Sequence, residues 1–205
     1  MRILSFLLII TSGLNYGISQ ESNLKLSTQY GSDNKELHDL LRFQDIEVMK
    51  LEFKGKDLVN KNYRIILKEF SNGSVSKSDT IIDTGEYEYL SSIQDSVFKF
   101  KYFVETKSSN NIKMDFLMER FSTERVYNIR ASEDKYALHD FLGANPSIPI
   151  KLNEPNIIMG YFLPYLDKET GWKKYCEVSD SAFKREEWGR VFDIPNYFLI
   201  EIEFF

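Results

Sequence analysis

The sequence predicts an all-β fold, an antiparallel β-sandwich with short helices, on three observations. Strand-length segments alternate apolar and polar side chains, most cleanly from Ser96 to Thr106. There Phe98, Phe100, Tyr102 and Val104 face one way while Lys99, Lys101 and Glu105 face the other. Turn signals separate these segments at short intervals, and Ser71-Asn72-Gly73-Ser74 is the sharpest, because Asn-Gly tolerates the positive φ angles of a type I′ hairpin. Finally, 16 Phe, 12 Tyr and 2 Trp among 205 residues supply bulky packing for a core between two pleated layers.

Taken in order, Leu24-Lys25-Leu26 reads as a short strand and Gly31-Ser32-Asp33-Asn34 as a turn. Glu36 to Leu41 reads as a short helix or turn. Ile46 to Phe53 is a strand whose alternation slips between Val48 and Met49, as a bulge would cause. Asn62 to Phe70 and Val75 to Asp83 flank the Asn-Gly turn. Ile112 to Phe121 pairs with Ser96 to Thr106 across the loop Lys107 to Asn111, and Arg125 to Arg130 adds a further strand. Ser132-Glu133-Asp134, then Tyr136 to Leu142, then Gly143, carries helix start and stop signals with Leu138, Phe141 and Leu142 as an apolar stripe. Ile157 to Tyr165 is an apolar strand bent at Pro164. Asp167 to Gly171 is a turn, and Trp172 to Val178 returns along it. Asp180 or Ser181 caps a short helix through Trp188. The final segment, Asn196 to Phe205, alternates Phe198, Ile200, Ile202 and Phe204 against Glu201 and Glu203.

The N-terminus has the plan of an export signal. Arg2 precedes the apolar run Ile3 to Ile10, and Gly17-Ile18-Ser19 places small residues where a signal peptidase reads, so residues 1–19 are expected to be removed. The apolar run is too short to span a bilayer. The expected product is exported, periplasmic or secreted, with no transmembrane segment in the mature chain. Residues 20–130 form a first β-rich half and 131–205 a second, packed with it. A net charge of −5 lacks the electrostatic footprint of a nucleic-acid binder or of a protein drawn to an anionic membrane. Cys176 is the only cysteine, so no intrachain disulfide forms and the thiol is expected to be buried.

An internal repeat is a further expectation. Leu37-His38-Asp39-Leu40-Leu41 recurs as Leu138-His139-Asp140-Phe141-Leu142, and the same offset of 101 residues aligns Lys50-Leu51 with Lys151-Leu152 and Ser78-Asp79 with Ser179-Asp180. Duplication of one unit and shared strand grammar both account for this.

Several residues qualify for chemistry. Each histidine stands beside an aspartate, an arrangement suited to a general base or a metal ligand. Adjacent helical positions diverge by about 100°, however, so a packing or capping role is favoured for His38 and His139. Cys176 as a nucleophile needs an open, electropositive setting that its mid-strand place does not suggest. Glu86-Tyr87-Glu88, Asp167 with Glu169, and Glu186-Glu187 each offer two carboxylates of the glycosidase kind. Trp172 follows a tight turn at Gly171, with Tyr161, Tyr165, Tyr175 and Trp188 near it in sequence. Such rings stack on sugar faces when exposed, or else close the ends of the core. Trp172, Tyr161, Tyr165 and Trp188 are therefore the candidate ligand-binding residues. No catalytic residue, metal ligand or cofactor is assigned.

Absent motifs narrow the field. Gly55-Lys56 has no second glycine at the spacing of a phosphate loop, and there is no Gly-x-Ser-x-Gly elbow, His-x-x-x-His pair or cysteine cluster. Counting back by twos from Phe205 meets Glu203 and Glu201, which lipid would reject at a barrel surface. The export signal, the Asn/Lys/Ile-rich composition and the tail Ile194-Pro195-Asn196-Tyr197-Phe198-Leu199-Ile200-Glu201-Ile202 resemble small secreted proteins of unknown function from Bacteroidetes. That resemblance implies a compartment and no activity. The expectation is an exported, soluble, non-catalytic binding or interaction module whose partner is a glycan or an envelope protein. The alternatives are a carboxylate-dependent hydrolase of envelope or periplasmic glycans and an envelope scaffold subunit.

Overall fold

The structure is a computed structural model that describes residues 23–205 apart from 88, 91, 108–110, 130–131, 176–177 and 179–182. The leader at 1–19, the tip of the 107–111 loop, Glu88, Cys176, and the cap at Asp180 or Ser181 lie outside the described residues. Strands β1 (Lys25–Tyr30), β2 (Ile46–Lys54), β3 (Tyr63–Ser71), β4 (Ser74–Asp83), β5 (Val97–Lys107), β6 (Asn111–Met118) and β7 (Ser122–Asn128) precede residue 130. They are followed by β8 (Ala137–Asp140), β9 (Ile148–Pro149), β10 (Asn156–Phe162), β11 (Tyr165–Leu166), β12 (Lys173–Lys174) and β13 (Asn196–Phe204). Helix α1 (Lys35–Phe43) follows β1, and the one-turn helix α2 (Trp188–Val191) precedes β13.

Two antiparallel sheets face each other. The six-stranded sheet runs β7-β6-β5-β2-β1-β9, the five-stranded sheet β4-β3-β13-β10-β8, and β11 and β12 form a separate two-stranded ribbon. Strands from both sides of residue 130 enter both sheets, so the two stretches build one sandwich between them. The period-2 pattern explains which side chains meet. Leu26, Met49, Leu51, Phe53, Phe100, Tyr102, Val104, Met114 and Phe116 project from the first sheet, and Ile65, Leu67, Phe198, Ile200, Ile202 and Phe204 from the second. All are buried. Phe53 meets Phe204 edge-on at 5.1 Å and Tyr127 meets Phe198 at 5.8 Å, contacts that cross the sandwich. The Asn-Gly hairpin forms as its residues dictate, with φ of 50° at Asn72 and 77° at Gly73 between β3 and β4.

The outer faces differ. On the six-stranded sheet the outer face carries Lys50, Lys99, Lys101 and Lys113, with Lys99 on Glu52 and Lys113 on Glu124, each at 2.5 Å. On the five-stranded sheet the outer face of β10 and β13 is roofed by the turn of chain around Trp188. Trp188 is fully buried there, 5.0 Å from Phe162, 5.7 Å from Phe141 and 5.8 Å from Tyr197. Tyr197 in turn stacks on Phe70 at 4.7 Å, and the Arg185 guanidinium lies 4.1 Å above the Phe141 ring. Gly189 lets the roof sit this low, because a Cβ on it would lie 2.6 Å from the Gly73 backbone at the hairpin tip.

Two expectations are corrected. Tyr136 to Leu142 is no helix: Ala137–Asp140 is the edge strand β8, paired with β10. Its period is 2, with Leu138 turned into the sandwich and His139 turned out, and long-range pairing overrides the local capping signals. The slip at Val48-Met49 is no bulge, since the pairing of β2 with β1 and β5 runs without a break. Val48 is buried from the opposite side, the side that α1 approaches. The internal duplication does not show in the structure, where the first Leu-His-Asp segment is helical and the second is a strand. The two stretches also differ in strand order, since β5 pairs with β2 whereas β13 pairs with β3 and β10.

Candidate functional site

At the end of the sandwich where β1 runs out and α1 begins, the sheets splay around a cleft of about 590 Å³. The backbone pattern explains its chemistry. In β2 the inward positions run Glu47, Met49, Leu51, Phe53, so the phase that builds the core also drives one carboxylate between the layers at its end. Tyr30 closes β1, Tyr161 enters from β10, Tyr136 stands just before β8, and Tyr175 follows β12. All four line the cleft with Glu47, and α1 adds His38 to the wall.

Glu47 Oε2 accepts hydrogen bonds from the Leu138 N–H and the Tyr30 hydroxyl, both at 3.0 Å. Burial pushes its carboxyl above the usual carboxylate range. The two hydrogen bonds and Lys135 oppose the rise, and Asp45 adds to it. Neighbouring acids are paired with bases: Lys135 bonds Asp45 at 2.7 Å and Lys173 bonds Asp134 at 2.5 Å. Both groups in contact with Glu47 are neutral donors.

The tyrosine hydroxyls are engaged elsewhere. Tyr136 donates to Asn196 Oδ1 at 2.8 Å, Tyr161 shares a hydrogen bond with Thr106 at 2.8 Å, and Tyr175 donates to the Lys135 carbonyl at 2.5 Å. Tyr136 and Tyr161 are stacked, with centroids 5.2 Å apart and planes 21° from parallel. Burial raises the hydroxyl pKa of Tyr30, Tyr136, Tyr161 and Tyr175 above the ordinary tyrosine value. The Glu47 charge adds to that rise at Tyr30, Tyr161 and Tyr175, so the four rings are neutral throughout the physiological range.

The candidate ligand-binding residues separate. Trp172 is 73% exposed at the turn between β11 and β12. Trp188 is fully buried in the roof, and Tyr165 is buried beside Phe192. Tyr161 is in the cleft. Trp172 does not line the cleft, but the ribbon that carries it is tied to the cleft wall, since Lys173 bonds Asp134 and Tyr175 bonds the Lys135 carbonyl.

Other candidates resolve into supports. Asp167 is held below the usual carboxylate range by Lys174 first, then by the Thr170 hydroxyl and the Glu169 N–H, so it organises the turn beneath Trp172. Glu187 pairs with Arg190 at 3.0 Å, while Glu86 and Glu186 are exposed. Asp39 meets Arg42 at 3.7 Å, and Asp140 accepts a hydrogen bond from Thr28 across the sandwich. His139 stacks on Phe162 at 5.0 Å and Tyr175 at 5.7 Å. Among the described residues, no three His, Cys, Asp or Glu side chains come together as a metal set, and no helix is long and apolar enough to cross a membrane.

A broader depression of about 1060 Å³ follows the outer side of the six-stranded sheet past Lys50, Glu52, Lys99 and Lys101. It is open, and Lys99 already satisfies Glu52. The end cleft is smaller and carries a half-buried acid, so it has the more selective chemistry. Sequence reasoning did not reach Glu47, Tyr30 or Tyr136. The usable signal was the inward phase of β2, in which Glu47 falls in step with Met49, Leu51 and Phe53.

Compared with protein-family models, with curated proteins and with solved structures, the chain matches none. What stands is an antiparallel β-sandwich with an aromatic end cleft and a carboxylate inside it.

Proposed function

We propose that the protein is an exported, non-catalytic binding module whose ligand seats in the end cleft with the Trp172 ring at its rim. The observation that carries this reading is the tie between the Trp172 ribbon and the cleft wall through Lys173 and Tyr175. The ribbon that carries an exposed indole thus borders a pocket of about 590 Å³, room enough for one or two sugar rings. An indole face stacks on the apolar face of a pyranose, and the cleft supplies polar groups to fix its orientation. A glycan is accordingly the favoured partner. The hydrolase alternative calls for a second carboxylate opposite Glu47. Asp45 is within electrostatic reach, yet it is bonded to Lys135, which favours binding over turnover.

Calorimetric titration of the mature protein against the trimers of glucose, glucosamine and N-acetylglucosamine tests the reading. Binding of at least one trimer, weakened about tenfold in Trp172→Ala, is expected from the loss of one ring stack. Absence of heat with all three, or binding that ignores Trp172→Ala, would overturn it.

A further inference from the structure

We infer that the end cleft is selective for a ligand carrying an organic ammonium group, seated against Glu47 and walled by Tyr30, Tyr136, Tyr161 and Tyr175. This rests on the reading of the cleft as a binding site and names the chemistry that site would take. Glu47 is the starting point. It sits between the sheets, and both side chains and backbone groups that touch it are neutral donors directed at Oε2. A half-buried carboxylate that makes no ion pair among the described residues, with Lys135 acting on it while bonded to Asp45, is a costly arrangement, and a ligand cation is what would compensate it.

The surroundings point the same way. The hydroxyls of Tyr30, Tyr136, Tyr161 and Tyr175 are committed to Glu47, Asn196, Thr106 and the Lys135 carbonyl; Tyr30 and Tyr175 keep ring surface open to a ligand, and the buried, stacked Tyr136 and Tyr161 back the cleft. Aromatic faces attract ammonium groups through their quadrupoles, most strongly where water is excluded. Among the cleft's charged residues, Asp45, Glu47, Glu133 and Asp134 outnumber Arg42 and Lys135. Lys135 is spent on Asp45, and Asp134 takes Lys173 from outside the cleft. An anionic ligand would meet Glu47 where the cleft's bases, Arg42 and Lys135, are outnumbered by acids and Lys135 is already bonded to Asp45. A neutral sugar would leave the acid uncompensated. An amino sugar answers both demands, with its ring under Trp172 and its ammonium at Glu47.

The test compares glucosamine trimer with its N-acetylated and 2-hydroxyl counterparts, which share a backbone and differ only at the C2 substituent. Butylammonium and neutral 1-pentanol form a second pair free of sugar. Each is titrated near neutral pH into wild type, Glu47→Gln and Tyr30→Leu, with backbone amide spectra to confirm folding and locate the site. Glucosamine trimer is expected to bind at least tenfold more tightly than the other two trimers, and Glu47→Gln to erase that preference. Tyr30 is half exposed, so Tyr30→Leu keeps the test alive if the first variant does not fold, and it should weaken butylammonium several-fold. Equal binding of the three trimers, unaffected by Glu47→Gln, would overturn the ammonium inference and leave the binding module standing. Butylammonium at Glu47 with no sugar bound would uphold the inference and remove the glycan. Silence from all five ligands would remove both.

Discussion

The two outer faces of the sandwich share one backbone pattern and have opposite fates. Facing outward from the six-stranded sheet are Lys50, Lys99, Lys101, Lys113 and Leu117, and their charges are balanced mainly by Glu52 and Glu124 in water. Facing outward from β10 and β13 are Phe162 and Tyr197, packed against Trp188, with Leu199 buried and Glu201 buried and paired with Lys68 at 2.7 Å. Alternation alone does not make a face wet. What decides is whether the outward set is itself apolar, and if so the chain must return to cover it. Trp188 does that, and the ribbon formed by β11 and β12 leads to Tyr175 in the cleft.

Mutations that strip each face should separate the two by kilocalories. Trp188→Ala should destabilise the fold by about 3–5 kcal/mol in urea unfolding, the range for a large aromatic removed from a packed site. Trp188→Phe should recover most of that, since the indole Nε1 has no acceptor among the described residues. Gly189→Ala comes next at about 1–3 kcal/mol, because its methyl would press on the Gly73 backbone and lift the roof. Leu117→Ala and Lys101→Glu on the open face should fall within about 0.5 kcal/mol. A cost at Leu117 comparable to that at Trp188 would mean that the open face is covered in solution.

Glu47 sharpens the comparison, being an inward position occupied by an acid. Its folded pKa is raised, so the folded state holds the proton more tightly than the unfolded chain does. Charging it therefore lowers stability as pH rises from the unfolded carboxyl range through the raised folded value. Glu47→Gln should raise the melting temperature near neutrality, and the gain should vanish as pH falls toward about 4. A variant less stable than wild type at neutral pH would show that the two hydrogen bonds to Oε2 outweigh burial.

Much of the fold could be read from the sequence, because period-2 alternation and Asn-Gly turns are local. Phe98, Phe100, Tyr102 and Val104 against Lys99 and Lys101 announce β5, and Asn72-Gly73 announces the hairpin. Residues 137–140 were not legible as strand. Ser132, Asp134 and Gly143 carry helix punctuation, and the pairing of Leu138 with Tyr161 that overrides it is non-local. The site was legible in part. Tyr161, Tyr175 and Trp172 drew notice as rings near one another, but sequence proximity grouped Trp172 with Trp188, which the fold separates into rim and roof. Tyr30 bonds Glu47 and Tyr136 lines the same cleft across a long stretch of sequence, a consequence of strand order rather than of any motif.

The most direct test of the account is a backbone amide titration of residues 20–205 with glucosamine trimer, read residue by residue. Shifts gathered at Tyr30, Glu47, Lys135 to Leu138 and Trp172 are predicted, marking the cleft and its rim. Shifts confined to Lys50, Lys99 and Lys101, or no shifts at a concentration that saturates comparable sugar binders, would contradict it.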